Sequence, residues 1–207
     1  MKTVVLVGGQ PYEEEADEVW VCNMAFTHQP NATRLYFMDS LQHLESTNGS
    51  DYGKRVAALS IPVVAQCHYQ EIPRSRPFPL KETVEDFPGS YFTCTIAYMI
   101  ADAIREGFEK IICHKILMKN LSIEYYTQKP CLDSWLQLAM GRGIEVEKSD
   151  GSLLLEHYPW EPRFYGHTLK DRGVAERIMA TTASTLARPQ TDETVCEDGA
   201  DELRKVL

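Results

Sequence analysis

No apolar run in this sequence of 207 residues approaches the roughly 18 that a bilayer span requires. The short stretch Val4–Val7 behind Lys2 is too brief for the apolar centre of a secretory leader and reads better as a first buried strand. A cytoplasmic chain with no membrane role is the expectation. Six cysteines are present, yet none form a CxxC pair and their spacing is irregular. That pattern argues against a disulfide framework or a zinc knuckle and for reduced, buried thiols, with Cys22 and Cys113 inside apolar runs. Basic residues are in deficit, 21 against 30 acidic, for a net charge of -9. A surface of that sign disfavours nucleic acid as the main partner, because phosphate-backbone binding needs a positive face. The sequence also has no GxxxxGK[ST] phosphate loop, HExxH, GxSxG elbow, internal repeat or low-complexity tract. Its six histidines are scattered, which makes a three-histidine metal site hard to assemble.

What is present is an ordinary globular composition, 43% hydrophobic and 25% charged, so a core can form without metal or disulfide staples. Strands are expected at Thr3–Val7, Glu18–Cys22, Arg34–Phe37, Pro62–Gln66, Lys110–His114 and Ile144–Glu147. Most are continuous apolar runs rather than alternations, as expected of strands covered on both faces. The acidic turn Tyr12–Asp17 between the first two leaves room for only a short helix.

Two helices stand out. In Thr93–Gly107, Ile96, Met99, Ile100, Ala103 and Ile104 fall on one face, with Thr93 or Thr95 as cap and Gly107 as the left-handed stop. The second covers Cys131–Gly143, with Pro130 near its first turn and Leu132, Trp135, Leu136 and Ala139 as its stripe. Each runs through a glycine directly into a strand, the grammar of an α/β protein with a mostly parallel sheet. Residues 1–187 read as one domain, with a last helix at Asp171–Leu186, and residues 188–207 as an acidic solvated tail.

In such a sheet, ligands sit beyond the carboxyl ends of the strands. Gly8, Gly9 and Gln10 follow the first strand, Asn23 the second, Asp39 the third and His68 the fourth. Glycine there lets main-chain amides approach a phosphate, and it equally serves a tight turn. Asn, Asp and His at these positions also suit turns and caps, so their convergence carries the functional reading. Thr93 and Thr95 open a helix whose free N–H groups favour an anion, or simply cap it. His114 and Lys115 end the fifth expected strand, where a lysine can meet a phosphate or stay solvated. Tyr125, Gln128 and Lys129 lie just before the second helix, suited to stacking on a base or to covering the sheet edge.

The stretches YFTCTIAYMIADAIREGFEKI, IEYYTQKP, LAMGRGIEV and GSLLLEHYPWEPRFYGH, with VVLVGG, VWVCNMAF and LYFMD before them, resemble an uncharacterised group of proteins common in bacteriophage genomes. The group is distantly similar to the superfamily of hydroxymethylpterin diphosphokinase and the motility accessory factors. The resemblance implies a Rossmann-like three-layer sandwich and a phage-encoded transferase acting in the host cytoplasm. Its substrate would be a nucleotide or nucleotide sugar, with glycosyl or diphosphoryl transfer as the reaction. Asp39, His114 and Lys115 would then be catalytic, with Asp39 also holding Mg or Mn. Gly8, Gly9, Gln10, Asn23, His68, Thr93, Thr95, Tyr125, Gln128 and Lys129 would bind the ligand. Two positions depart from the group's pattern: Leu117 stands where an acidic residue is usual, and Lys129 where arginine is. Those departures open the alternative of a non-catalytic phage accessory protein that binds a nucleotide or a host protein.

Overall fold

The computed structural model describes residues 1–119 and 123–156. The expected helix at 171–186, the tail at 188–207 and the end of the quoted stretch at 157–167 lie outside the described residues. Seven strands form one sheet: β1 (Thr3–Val7), β2 (Glu18–Cys22), β3 (Arg34–Tyr36), β4 (Val63–Ala65), β5 (Ser75–Pro77), β6 (Lys110–His114) and β7 (Glu145–Lys148). Their order is β5-β4-β3-β2-β1-β6-β7, and every pairing is parallel. Five α-helices accompany them among the described residues: α1 (Leu41–Asn48), α2 (Tyr52–Ala57), α3 (Leu80–Asp86), α4 (Thr95–Arg105) and α5 (Ile123–Gly141). This is an α/β Rossmann-like sandwich.

The continuous apolar strands have the cause that their composition implies. Along β1, Val4 and Leu6 join the core on one face, while Val5 and Val7 join the core on the other. The first core holds Trp20, Tyr36, Ile111 and Cys113 from the sheet, with Ala97, Met99 and Ile100 of α4 and Leu132 and Trp135 of α5. The second packs Val19, Val21, Leu35 and Val63 against Leu44 of α1 and Tyr52 and Val56 of α2. Strands covered on both sides have no polar alternation to show.

α4 matches its sequence signal closely, and Gly107 follows it with a φ of 71°, the left-handed stop that lacks a Cβ penalty. Sequence alone starts the next helix at Pro130; in the structure α5 begins at Ile123 and carries Pro130 inside. An interior proline costs a helix about 3 kcal/mol. Here the residues on either side, Lys129 and Cys131, are buried, and Gln128 Nε2 bonds Glu124 Oε1 at 2.7 Å across the preceding turn. Those contacts carry the helix through the proline.

Three further elements have weak signals. β5 is the short edge strand Ser-Arg-Pro, where a proline is tolerated because only one side of the strand is paired. α1 and α2 bury little beyond Leu44, Tyr52, Gly53 and Val56; Ser40 caps α1 by accepting from His43 N at 3.2 Å. Residues 8–17 form a loop without a helix.

Candidate functional site

The chain builds outward from β1 to β5, then returns to place β6 on the other side of β1. The strand order therefore reverses between β1 and β6. In open parallel sheets the crevice beyond the carboxyl ends at such a reversal is where ligands bind. The residues at that point are Gly8 and Gly9 after β1, His114 and Lys115 at the end of β6, and Asn23 after the neighbouring β2.

These residues are tightly organised. Gly8 N donates to His114 O at 3.0 Å, tying the two strand ends together. A Cβ on Gly8 would stand 2.8 Å from Ile116 Cγ1 and 3.2 Å from Lys115 O, so this glycine is required by the close approach of two loops. His114 Nε2 donates to Pro11 O at 3.1 Å and its ring meets Tyr12 edge-on. His28 Nε2 bonds Gly9 O from the other side. A carbonyl can only accept, so both imidazoles carry a proton on Nε2.

Lys115 is the least ordinary member. Its φ is 54°, in the left-handed region that a lysine adopts at a cost of about 1–2 kcal/mol. Its N–H donates to Ser149 Oγ at 2.9 Å, which holds that conformation. The side chain is partly buried, and among the described residues no carboxylate pairs with its ammonium. Asn23 is also left-handed, with a φ of 47°. Tyr52 donates its hydroxyl to Asn23 O at 3.3 Å, while the side-chain Oδ1 of Asn23 is buried with no hydrogen-bond partner among the described residues. Backbone strain and an unmatched buried acceptor at a sheet's switch point are features that binding sites retain.

The start of α4 reaches the same edge. Its N-cap is Cys94, whose thiol faces the Ile96 and Ala97 amides in place of an oxygen cap. Thr95 is buried and Thr93 exposed. Cys94 is close enough to Cys22 for the two thiols to influence one another, which sets the helix start beside the end of β2. Burial pushes the thiols of Cys22 and Cys94 up, to about 11 and about 12, so both are neutral at pH 7 and act as packing groups.

The remaining expected residues are spread more widely. Asp39 is exposed after β3, near Tyr52. His68, after β4, donates Nδ1–H to Ser75 O at 2.8 Å and leaves Nε2 open to solvent. Strands lie about 4.8 Å apart, so His68 is roughly 19 Å across the sheet from Lys115, too far to share one small pocket. Gln10 is exposed. Tyr125 packs against the core, and Gln128 bonds Glu124. Lys129 does not contribute free positive charge: it is 4% exposed, paired with Asp133 and donating to Glu156 O. Tyr52 and Ser149 belong to the site without having been expected in it. Ser149 directly follows β7, so the rule that selects Lys115 selects it too; Tyr52 is signalled by nothing local.

Asp39 gives a divalent ion one exposed carboxylate, and among the described residues no group of three or more His, Cys, Asp or Glu stands together. The donor set does not fit a resident metal. It leaves room only for an ion carried mainly by substrate phosphates and water. No helix among the described residues is long and apolar enough to cross a membrane.

Fold and edge geometry define a parallel α/β protein whose strand order reverses between β1 and β6. Comparison with known protein families, with curated proteins and with solved structures finds no match to this chain.

Proposed function

We propose that this chain binds a nucleotide or nucleotide sugar at the carboxyl edge of its sheet and transfers a glycosyl or diphosphoryl group from it. The observation that carries the reading is Lys115, strained, partly buried and without a carboxylate partner among the described residues, at the reversal between β1 and β6. An ammonium there, with the start of α4 and the amides of Gly9 and Gln10, is suited to phosphate oxygens. Asn23 Oδ1, lacking a donor among the described residues, would accept from a base or ribose. Transfer of this kind relies on positioning and charge neutralisation, so few polar groups are needed. His114 and His28 are proton-handling groups beside the glycine loop, and Asp39, farther along the edge, would hold Mg or Mn only through bound phosphates. A second reading, a phage accessory protein that binds without chemistry, is favoured by Leu117, an aliphatic residue where the resembling group has an acidic one.

A thermal-shift screen against nucleotides and nucleotide sugars, with and without Mg or Mn, tests both, since a ligand of the native state raises Tm by mass action. A shift that depends on Lys115, with product formed, supports the transferase; the same shift without product supports the binder. Lys115→Ala should weaken the binding by about 1–3 kcal/mol, the worth of a charge-assisted contact. Equal shifts in wild type and Lys115→Ala would sink the site assignment.

A further inference from the structure

Two residues just past the 3₁₀ turn Ala25–Thr27, which follows β2, reach back to the loop after β1. His28 closes the turn, with its N–H on Ala25 O at 3.3 Å, and its exposed ring donates Nε2–H to Gly9 O. Gln29 is buried and grips Tyr12 at both main-chain groups. Its Oε1 accepts from Tyr12 N at 2.7 Å, and its Nε2 donates to Tyr12 O at 2.9 Å. From the β6 side, His114 Nε2 donates to Pro11 O at 3.1 Å. The carbonyls of Gly9, Pro11 and Tyr12 are therefore all taken by side chains, while the amides of Gly9 and Gln10 donate to nothing among the described residues.

A trans peptide sends its C=O and its N–H in opposite directions, and no peptide among the described residues is cis. The far half of the loop obeys this directly. His114 draws Pro11 O toward β6, and the amide of the same peptide, Tyr12 N, meets Gln29 on the β2 side. In the near half the directions are exchanged: His28 draws Gly9 O toward β2, which turns Gln10 N–H toward β6. Lys115 stands on that side. A Cβ on Gly9 would lie 3.3 Å from Lys115 Cβ and 3.4 Å from Lys115 O, so only glycine lets the loop and the lysine come this close. Gly8 and Gln10 are exposed and Gly9 partly so, which opens this amide to an ion from solvent.

We infer that His28 is a positioning residue, holding the Gln10 amide toward the Lys115 ammonium so that both meet one phosphate oxyanion. The inference rests on the proposed reading of this edge as a phosphate site, and its test separates the two. Inorganic pyrophosphate is the probe, standing for the diphosphate of a nucleotide or nucleotide sugar. Its binding to wild type, His28→Phe, His28→Gln and Lys115→Ala is followed by calorimetry and by the Gln10 amide signal in proton–nitrogen correlation spectra. His28 is exposed and belongs to neither core, so the replacements leave the fold intact. Phenylalanine keeps a ring and loses the donor, whereas glutamine restores an N–H donor at similar reach. Wild type should bind with a downfield shift of the Gln10 amide proton. His28→Phe should weaken binding about threefold to tenfold, the worth of one oriented hydrogen bond, and lose most of that shift. His28→Gln should return the affinity to within about twofold of wild type and restore the shift. If Lys115→Ala weakens binding while His28→Phe binds and shifts as wild type does, the inference is overturned and the phosphate reading stands. It is also overturned if His28→Gln recovers nothing that His28→Phe loses, because the effect would then come from packing and not from the donor. Absence of binding by wild type at millimolar concentration, or full binding by Lys115→Ala, removes the phosphate reading and the inference with it.

Discussion

Lys115 shows how one residue can be legible in place and illegible in shape. Its position after a buried strand follows from the sequence, but lysine has no preference for positive φ, so nothing local announces the strain. Asn23 is the easier case, because asparagine tolerates that region. Removing the strain should separate stability from binding. Lys115→Gly is expected to raise stability in urea melts by about 0.5–1 kcal/mol, the middle of the left-handed penalty, about 1.5 kcal/mol, less the roughly 0.4–1 kcal/mol of flexibility glycine adds to the unfolded chain. The same variant should lose the ligand-induced rise in Tm. A variant both less stable and fully able to bind would show that the conformation serves packing alone. Lys129 is the opposite lesson. With the helix started at Pro130 it looks like a free cation, whereas in α5 it stands one turn before Asp133 and is neutralised.

At the scale of elements, the strands and α4 were readable because burial imposes their composition directly. β5, α1 and α2 were not, since each contributes only a few buried side chains and is otherwise polar. The extension of α5 through Pro130 was hidden because proline argues locally against it, and only distant packing overrides that. Trp135, expected to face the core from this helix, is 2% exposed. Its Nε1 donates to Tyr91 O at 2.9 Å, and its ring meets Phe87 edge-on at 5.3 Å. Trp135→Ala should therefore cost about 3–5 kcal/mol in denaturant melts, through the cavity left and the lost Nε1 hydrogen bond. A loss below about 1 kcal/mol would mean that α5 is not anchored there.

Over the whole molecule, one buried carboxyl couples the fold to pH. Asp102 joins α4 to β3 through Tyr36, and desolvation raises it above the ordinary carboxylate value despite the Tyr36 hydrogen bond. Glu106 nearby adds to the rise, while Arg76 and Arg34 oppose it. A raised acid holds its proton more tightly folded than unfolded, so its contribution is full below the unfolded pKa and fades as pH climbs through the folded one. Asp102→Asn mimics the protonated form. Its stability relative to wild type should be near zero at the acid end and grow as pH rises past the ordinary carboxylate range, read from urea midpoints across a pH series. A constant difference would show that the carboxyl does not titrate differently on folding.

The strand order has a further consequence, in the time taken to make the chain. β1 is the third strand from one end of the sheet, and its second partner is β6; beside that pair, Lys2 N bonds a Glu109 carboxylate 107 positions later. The first five strands can assemble as they leave the ribosome, but until Lys110–His114 emerges β1 offers an open apolar edge to any neighbour. For this protein the hazardous interval of synthesis closes with the arrival of β6.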